Sequence, residues 1–142
     1  VSQAPRIVVR DGTSELDRAA ILRALITHNE KAGGPAGFQQ VCLVVEDPDT
    51  GETTGGLWGR IIYDWLFVEF LAVPETARRS GLGTELLNRA EQIAKDRGCA
   101  GVWLDTYQFQ APDFYRKHGY QEFGRIADHP RGSQRLFFMK TF

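Results

Sequence analysis

The spacing of hydrophobic positions changes several times along the chain, and each change marks an element. Residues 6–12, RIVVRDG, place Ile7, Val8 and Val9 in a row before Asp-Gly, which predicts a short strand closed by a turn. From Ser14 the spacing lengthens: Leu16, Ala19, Ala20, Leu22 and Ile26 fall on one side of a helix that opens with Ser14 and Asp17 in a capping-box-like arrangement. That helix is expected to run to about Glu30 and to cover a sheet with its apolar side. KAGGPAG, residues 31–37, is a loop by its glycines and proline. QVCLVVE and GGLWGRIIY, residues 40–46 and 55–63, are rich in β-branched and aromatic residues and read as strands joined through a DPDTGE hairpin turn. In that turn Asp47, Asp49 and Gly51 imitate a calcium loop, but the glycine comes one position early and Trp58 stands where a bidentate glutamate belongs, so a plain turn is preferred.

DWLFVEFLAV, residues 64–73, is apolar almost without break and predicts a central strand buried on both faces. A helix follows in which Leu82, Leu86, Leu87, Ala90, Ile93 and Ala94 keep a 3.6-residue period, with Gly98 as its stop. GVWLDTY is a further strand, APDFYRKHG a short helix with Pro112 in its first turn and Gly119 at its end, and YQEFGRI and RLFFMKTF two closing strands around DHPRGSQ. The predicted order is β, α, three β, α, β, α, β, β, an α/β chain with no internal repeat and no low-complexity linker.

Length and charge narrow the classes. A chain of 142 residues fits a single domain, residues 1–142, with enough length to bury a core. A formal net charge of -1 provides no broad basic field for nucleic acid or an acidic membrane, so neither is expected as a partner. The two cysteines, Cys42 and Cys99, form no C-x-x-C pair and are read as free thiols in a reducing compartment. No apolar run approaches the roughly 20 residues that span a bilayer, and VSQAPRIVVRDG lacks the layout of a signal peptide. A cytoplasmic location is expected, and the start at Val1 suggests that a few leading residues are missing.

The stretch LAVPETARRSGLGTELL, residues 71–87, raises a chemical question. Glycine weakens a helix by roughly 1 kcal/mol relative to alanine, yet Gly81 and Gly83 stand where this helix opens. A helix N-terminus carries unpaired N–H groups and partial positive charge, and glycines let a bulky anion press against that backbone. Arg78 and Arg79 add charge-assisted donors beside it, so the ligand expected is a phosphate, above all a pyrophosphate. A Walker loop is excluded because Gly83 is followed by Thr84 and Glu85, and a dinucleotide fingerprint because Leu86 stands at the third small position. On spacing alone, a tightly turned loop beside a packed helix remains the alternative.

Arg78, Gly81 and Gly83, as R-x-x-G-x-G after a strand ending LAV, resemble the acetyl-CoA motif of the GNAT superfamily of N-acetyltransferases, and DFYRKHGY resembles its FY-x-K-x-GF segment. The likeness is close from about Trp65 to Tyr120, and the element order is similar to the GNAT fold from end to end. LDTYQFQAPDFY also resembles a bacterial subgroup of that superfamily whose members mostly have no assigned substrate. The resemblance implies a single mixed, mostly antiparallel twisted sheet flanked by helices, with a splayed parallel strand pair holding acetyl-CoA. It implies that the pyrophosphate lies on the backbone N–H groups of Arg78, Arg79, Ser80, Gly81, Leu82, Gly83 and Thr84, and that the pantetheine arm pairs with the main chain at Leu71, Ala72 and Val73. The asparagine often found before the FY helix is replaced here by Gln108 or Gln110, with Gln108 taken as the cofactor contact.

Acetyl transfer to an amine needs a deprotonated nucleophile, a polarised thioester carbonyl and a stabilised thiolate. Tyr115 matches the family's FY tyrosine, which implies a hydroxyl that reaches the sulfur as hydrogen-bond donor or general acid; packing of a short helix is its alternative role. Glu69 is the single charge between Trp65 and Val73; burial would suit it to act as a base, and an ion pair to Arg60 would make it structural. Asp105 is its rival, binding the acceptor's ammonium or relaying its proton, with a plain structural carboxylate near the cleft as the equal alternative. A main-chain N–H near Val73 is the expected donor to the thioester carbonyl. His28, His118 and His129 have no ligand spacing and are read as surface residues, with no metal expected. Trp58, Tyr63, Trp65, Tyr107 and Phe109 could line an acceptor pocket or make homodimer contacts, with core the preferred reading for most of them.

The resulting expectation is transfer of acetyl from acetyl-CoA to a primary amine of a small metabolite by direct attack, since no acidic tract suggests docking of a basic peptide. The competing readings are acetylation of a protein or peptide amine, a domain that senses or binds acetyl-CoA without transferring it, and a nucleotide-binding module using the same helix end.

Overall fold

The computed structural model describes residues 3–142; the expectation about residues preceding Val1 lies outside it. The chain divides into two compact units, one ending at Ala36 and the other spanning Gly37–Phe142.

The first unit is built around α1, Glu15–Gly33. Ser14 caps it as expected: its backbone is extended and its hydroxyl oxygen accepts from the Asp17 N–H at 3.2 Å. The helix passes Glu30 and ends at Gly33, where Gly34 at φ +80° and Pro35 stop it. One expectation fails here. Residues 6–12 form no strand, and Ile7 and Val9 are almost fully exposed, because strand propensity without a hydrogen-bonding neighbour does not make a strand. No residue of α1 is buried. Ile21 and Leu25 lie opposite the anticipated stripe, which leaves apolar side chains nearly all round the helix.

The second unit holds a six-stranded sheet in the order β1-β2-β3-β4-β6-β5. The strands are β1 (Gln39–Glu46), β2 (Thr53–Ile62), β3 (Trp65–Ala72), β4 (Gly101–Tyr107), β5 (Gln121–Ala127) and β6 (Gln134–Thr141). All pairings are antiparallel except β3 with β4, which are joined through α2 (Leu82–Asp96) as a parallel crossover requires. A short α3 (Pro112–Lys117) connects β4 to β5. The β1–β2 connection is the predicted turn: the Asp47 carboxylate accepts from the Asp49 and Thr50 N–H groups at 2.8 and 3.3 Å. Between β2 and β3 the chain reverses at Tyr63 and Asp64, with Tyr63 at φ +57°, where no glycine or proline marks a turn.

β3 is not buried on both faces as its composition suggested. Leu66 and Val68 are buried while Glu69 and Phe70 are exposed. β4 alternates in the same sense, with Val102, Leu104 and Thr106 inward. α2 lays Leu87, Ala90 and Ala94 on that inner face, beside Leu136 and Phe138 of β6. Each fully buried leucine there contributes roughly 1.5–3 kcal/mol. α2 also buries a carboxylate that hydrophobic periodicity did not reveal. Glu91 accepts from the Tyr120 hydroxyl at 3.0 Å and from Lys140 Nζ at 2.8 Å, so its charge is satisfied where it is desolvated. Burial and this carboxylate push the Tyr120 phenol well above its ordinary pKa.

Candidate active site

The parallel pairing of β3 with β4 is short. It runs from Trp65↔Gly101 to Val68↔Leu104 and ends, although β3 continues to Ala72 and β4 to Tyr107. Two features turn β3 away. The β2–β3 register skips Glu69, since Trp58 faces Phe70 and Gly59 faces Val68, so Glu69 is the extra residue of a bulge. Gly59 permits it: a Cβ there would lie 2.5 Å from the Phe67 carbonyl oxygen. Beyond the fork β4 stays paired to β6 as far as Tyr107↔Arg135, which leaves the β4-side edge of β3 unpaired at Leu71 and Ala72. A cleft of about 1060 Å³ opens there, lined by the β3 arm, the start of α2, the β4 arm and one side of α3.

One end of the cleft presents free backbone N–H groups. After β3 a 3-10 turn, Glu75–Ala77, leads into the loop, where Arg79 (φ +67°) and Gly81 (φ +83°) take left-handed conformations. Nothing lies within 4 Å of a Cβ built on Gly81, so its glycine answers to backbone conformation and an open approach. Gly83 differs, because a Cβ there would touch Phe114 at 3.4 Å. Among the described residues, the N–H groups of Arg79, Gly81, Leu82, Gly83 and Thr84 have no hydrogen-bond partner. Those of Arg78 and Ser80 are already used, donating to the Glu75 and Ala77 carbonyls at 3.3 Å. The predicted cradle is therefore narrower than the full run Arg78–Thr84. Ser80 does not line the cleft, and its hydroxyl also turns back to the Ala77 carbonyl. The Arg78 and Arg79 side chains line it, and neither forms an ion pair among the described residues.

At the fork, Glu69 and Asp105 immediately follow the last paired residues, Val68 and Leu104, one on each arm. Each is held by an arginine from the next strand outward. Arg60 Nη1 of β2 donates to Glu69 Oε2 at 3.3 Å, and Arg135 Nε and Nη2 of β6 approach Asp105 Oδ1 at 2.9 and 2.8 Å. Glu69 is about one-third exposed, so the burial expected of it is absent and the ion pair to Arg60 is present. Both carboxylates line the cleft, together with Tyr115. Tyr115 packs edge-on against Phe114 and Tyr120, with ring centroids 5.2 and 5.9 Å away. Burial first, then the nearby Asp105 charge, push its phenol up to about 12. Its hydroxyl forms no hydrogen bond among the described residues.

The remaining expectations divide. Leu71, Ala72, Val73, Leu82, Gly83 and Thr84 line the cleft; Gln108 does not. Gln108 lies on a second, smaller cavity of about 500 Å³ and accepts from Gln134 Nε2 at 3.2 Å. Gln110 borders both cavities, and its side-chain oxygen accepts from Thr106 Oγ1 at 2.8 Å and the Tyr107 N–H at 2.7 Å. None of Trp58, Tyr63, Trp65, Tyr107 and Phe109 is buried, so the core reading fails for all of them. Phe109 and Phe70 are largely exposed where they line the cleft. His118 is half-buried and within 3.1 Å of Thr84 Oγ1, not a free surface residue. Phe114 stands in the DFYRKHGY segment without a site role having been read from it, and Phe70 and His118 occupy no fixed motif position; only the fold brings them here. No group of His, Cys, Asp and Glu suited to hold a metal occurs among the described residues, and no helix there is long and apolar enough to cross a membrane.

Residues 15–120 match the acetyltransferase (GNAT) family. Blasticidin-S acetyltransferase of Streptomyces morookaense is 44% identical over 85 residues, which cover 59% of this chain and 62% of that protein, so the match spans less than two-thirds of that relative. Among solved structures, an acetyltransferase from Bacillus cereus superposes with a TM-score of 0.83 at 36% identity, covering 96% of this chain and 98% of that one. An acetyltransferase from Agrobacterium tumefaciens gives 0.91 at 29% identity, covering 97% and 100%. A more distant fold neighbour, a streptothricin acetyltransferase from Bacillus anthracis solved with acetyl coenzyme A, gives 0.62 at 20% identity over 72% and 62%.

Proposed function

The chain belongs to the GNAT acetyltransferase family, and from that premise we propose that it moves acetyl from acetyl-CoA to the primary amine of a small molecule by direct attack at the fork between β3 and β4. The observation that carries this reading is the fork itself: an unpaired strand edge leads from a backbone anion site to two carboxylates and a protonated phenol. Acetyl-CoA fits the residues present. Its pyrophosphate suits the free N–H groups of Arg79, Gly81, Leu82, Gly83 and Thr84 with the Arg78 and Arg79 side chains, and its amide-bearing arm suits the β3 edge at Leu71, Ala72 and Val73. When bound it supplies an activated thioester.

The protein's own groups divide the remaining tasks. A main-chain N–H at the end of β3 near Val73 polarises the carbonyl. Tyr115 keeps its proton throughout the neutral range and donates a hydrogen bond to the sulfur. Full proton transfer from a phenol at about 12 to an ordinary thiolate near 8.5 would be uphill by roughly 5 kcal/mol, so hydrogen bonding is the role it can fill. Asp105, the less exposed carboxylate, orients the ammonium, and Glu69, more open to solvent, takes its proton directly or through water.

A small amine is preferred as acceptor because the cleft offers the Phe70 and Phe109 rings, and its two fork carboxylates are already paired with arginines and not free to dock a basic peptide. The blasticidin-S relative supports the same class. A location in the cytoplasm, a single functional domain and a homodimer remain part of this proposal. The test is thiol release from acetyl-CoA across a panel of small amines, nucleoside antibiotics, amino acids and peptides. Amine-dependent release with small acceptors supports the reading. Release with peptides alone moves the function to protein acetylation, and tight acetyl-CoA binding with no release for any acceptor favours a sensor.

A further inference from the structure

We propose that His118 is a positioning residue for the pyrophosphate end of the cleft, acting through the hydroxyl of Thr84; the inference rests on the acetyl-CoA reading above. His118 follows the last residue of α3, and its Nε2 lies 3.1 Å from Thr84 Oγ1. Thr84 lines the cleft and has a free N–H, whereas His118 is not among the lining residues and reaches the ligand only through Thr84. The imidazole is held against the Phe114 ring at a centroid distance of 4.7 Å, and Phe114 in turn closes over Gly83. The contact therefore ties the first turn of α2 to the short helix that carries Tyr115.

Hydrogen bookkeeping fixes the direction of the contact. A phosphate ester oxygen accepts hydrogen bonds and gives none, a threonine hydroxyl has one hydrogen, and a neutral imidazole has one N–H and one bare nitrogen. If Thr84 spends its hydrogen on a bare Nε2, only oxygen lone pairs face the phosphate, and the contact is repulsive. If Nε2 carries the hydrogen and donates to Oγ1, the hydroxyl hydrogen is released toward the cleft, where it joins the free N–H groups of the same loop. The bound pyrophosphate selects the second arrangement, and His118 sets the direction of a donor that it never presents itself.

Calorimetric titration of coenzyme A into the full chain tests this, with wild type, His118→Ala, His118→Gln, Thr84→Val and the Thr84→Val/His118→Ala pair. His118→Ala and Thr84→Val should each weaken binding roughly 10- to 150-fold, the yield of one hydrogen bond to a charged group. The pair should be no weaker than the worse single variant. His118→Gln, which keeps an N–H donor, should recover affinity to within about twofold. In turnover the loss should fall on the KM for acetyl-CoA, with kcat changed less than about twofold. In wild type with coenzyme A bound, nitrogen-15 NMR should find the hydrogen on Nε2, a readout independent of any variant's folding. Unchanged affinity in His118→Ala, additive losses in the pair, or a bound imidazole with its hydrogen on Nδ1 alone would overturn the inference. Wild type that binds no coenzyme A would overturn it together with the acetyl-CoA reading, which separates the two failures.

Discussion

The two ends of the cleft are built from different materials. At the α2 end the donors are main-chain N–H groups at the helix start and two arginines that have no carboxylate partner among the described residues. At the fork the charges come from side chains, and each carboxylate already has its arginine, Glu69 with Arg60 and Asp105 with Arg135. An uncompensated backbone site binds an anion as soon as the loop folds, with no side chain to reorganise. A compensated site holds its charges in place and makes any incoming cation compete for them, so selectivity there depends on geometry more than on net charge. The first end is fit for a constant ligand and the second for a particular one.

The largest break in this contrast should come from Gly81→Glu. A carboxylate would enter the anion site itself, and loss of the charge-assisted contacts should weaken acetyl-CoA binding on the order of 100-fold or more by calorimetry. Because Gly81 sits at φ +83°, the variant should also lose several degrees of melting temperature. Gly81→Ala imposes the same backbone cost without the charge and should keep most of the affinity, which separates strain from repulsion.

Tyr115→Phe should act on the other side of the comparison. Losing a donor to developing thiolate charge should lower kcat roughly 10- to 100-fold while acetyl-CoA affinity stays within about twofold, and unchanged turnover would remove Tyr115 from the chemistry. Freeing the carboxylates should give smaller effects. Arg135→Ala and Arg60→Ala should shift the KM for the amine by a few fold, Arg135 the more because Asp105 is less exposed, with stability moved by about 1 kcal/mol or less for the half-exposed Arg60 pair.

The smallest effect is on stability in alkali. The Tyr115 phenol ionises near 10 when unfolded and at about 12 when folded, so between those values the unfolded chain binds fewer protons and stability falls as pH rises. Below pH 10 the contribution is fully present. Thermal melts of Tyr115→Phe should show a shallower fall between pH 10 and 12 than wild type, with the raised Tyr120 phenol still supplying part of it.

The sequence was more legible at one end than at the other. Gly81 and Gly83 at a helix start, with Arg78 beside them, point to a left-handed turn and unpaired N–H groups because those requirements are local, and both are present. Even so, spacing could not show that the N–H groups of Arg78 and Ser80 are consumed by the preceding turn. The fork is a tertiary event. The splayed strand pair was expected only through the family resemblance; nothing in WLFVEFLA itself says that the ladder skips Glu69 or that pairing with β4 stops at Val68, so a residue expected to be buried lies in the open on a bulge. The same cause hid Glu91, whose partners Tyr120 and Lys140 are distant in sequence, and His118, whose partner Thr84 lies on another helix. Elements with their own caps and turn residues, such as α1 behind Ser14 and the hairpin at Asp47, were readable. The strand expected over residues 6–12 was not realised, because a strand exists only through its neighbour.

The division of labour between the two ends is tested most directly by pairing calorimetry with turnover in one variant, Glu69→Gln/Asp105→Asn. Both substitutions keep side-chain size and remove charge at the fork alone. Acetyl-CoA should bind within about threefold of wild type while amine-dependent thiol release falls at least 100-fold, the range of general acid–base catalysis. Retained turnover would show the carboxylates to be idle, and affinity lost together with turnover would show that the two ends are not separate devices.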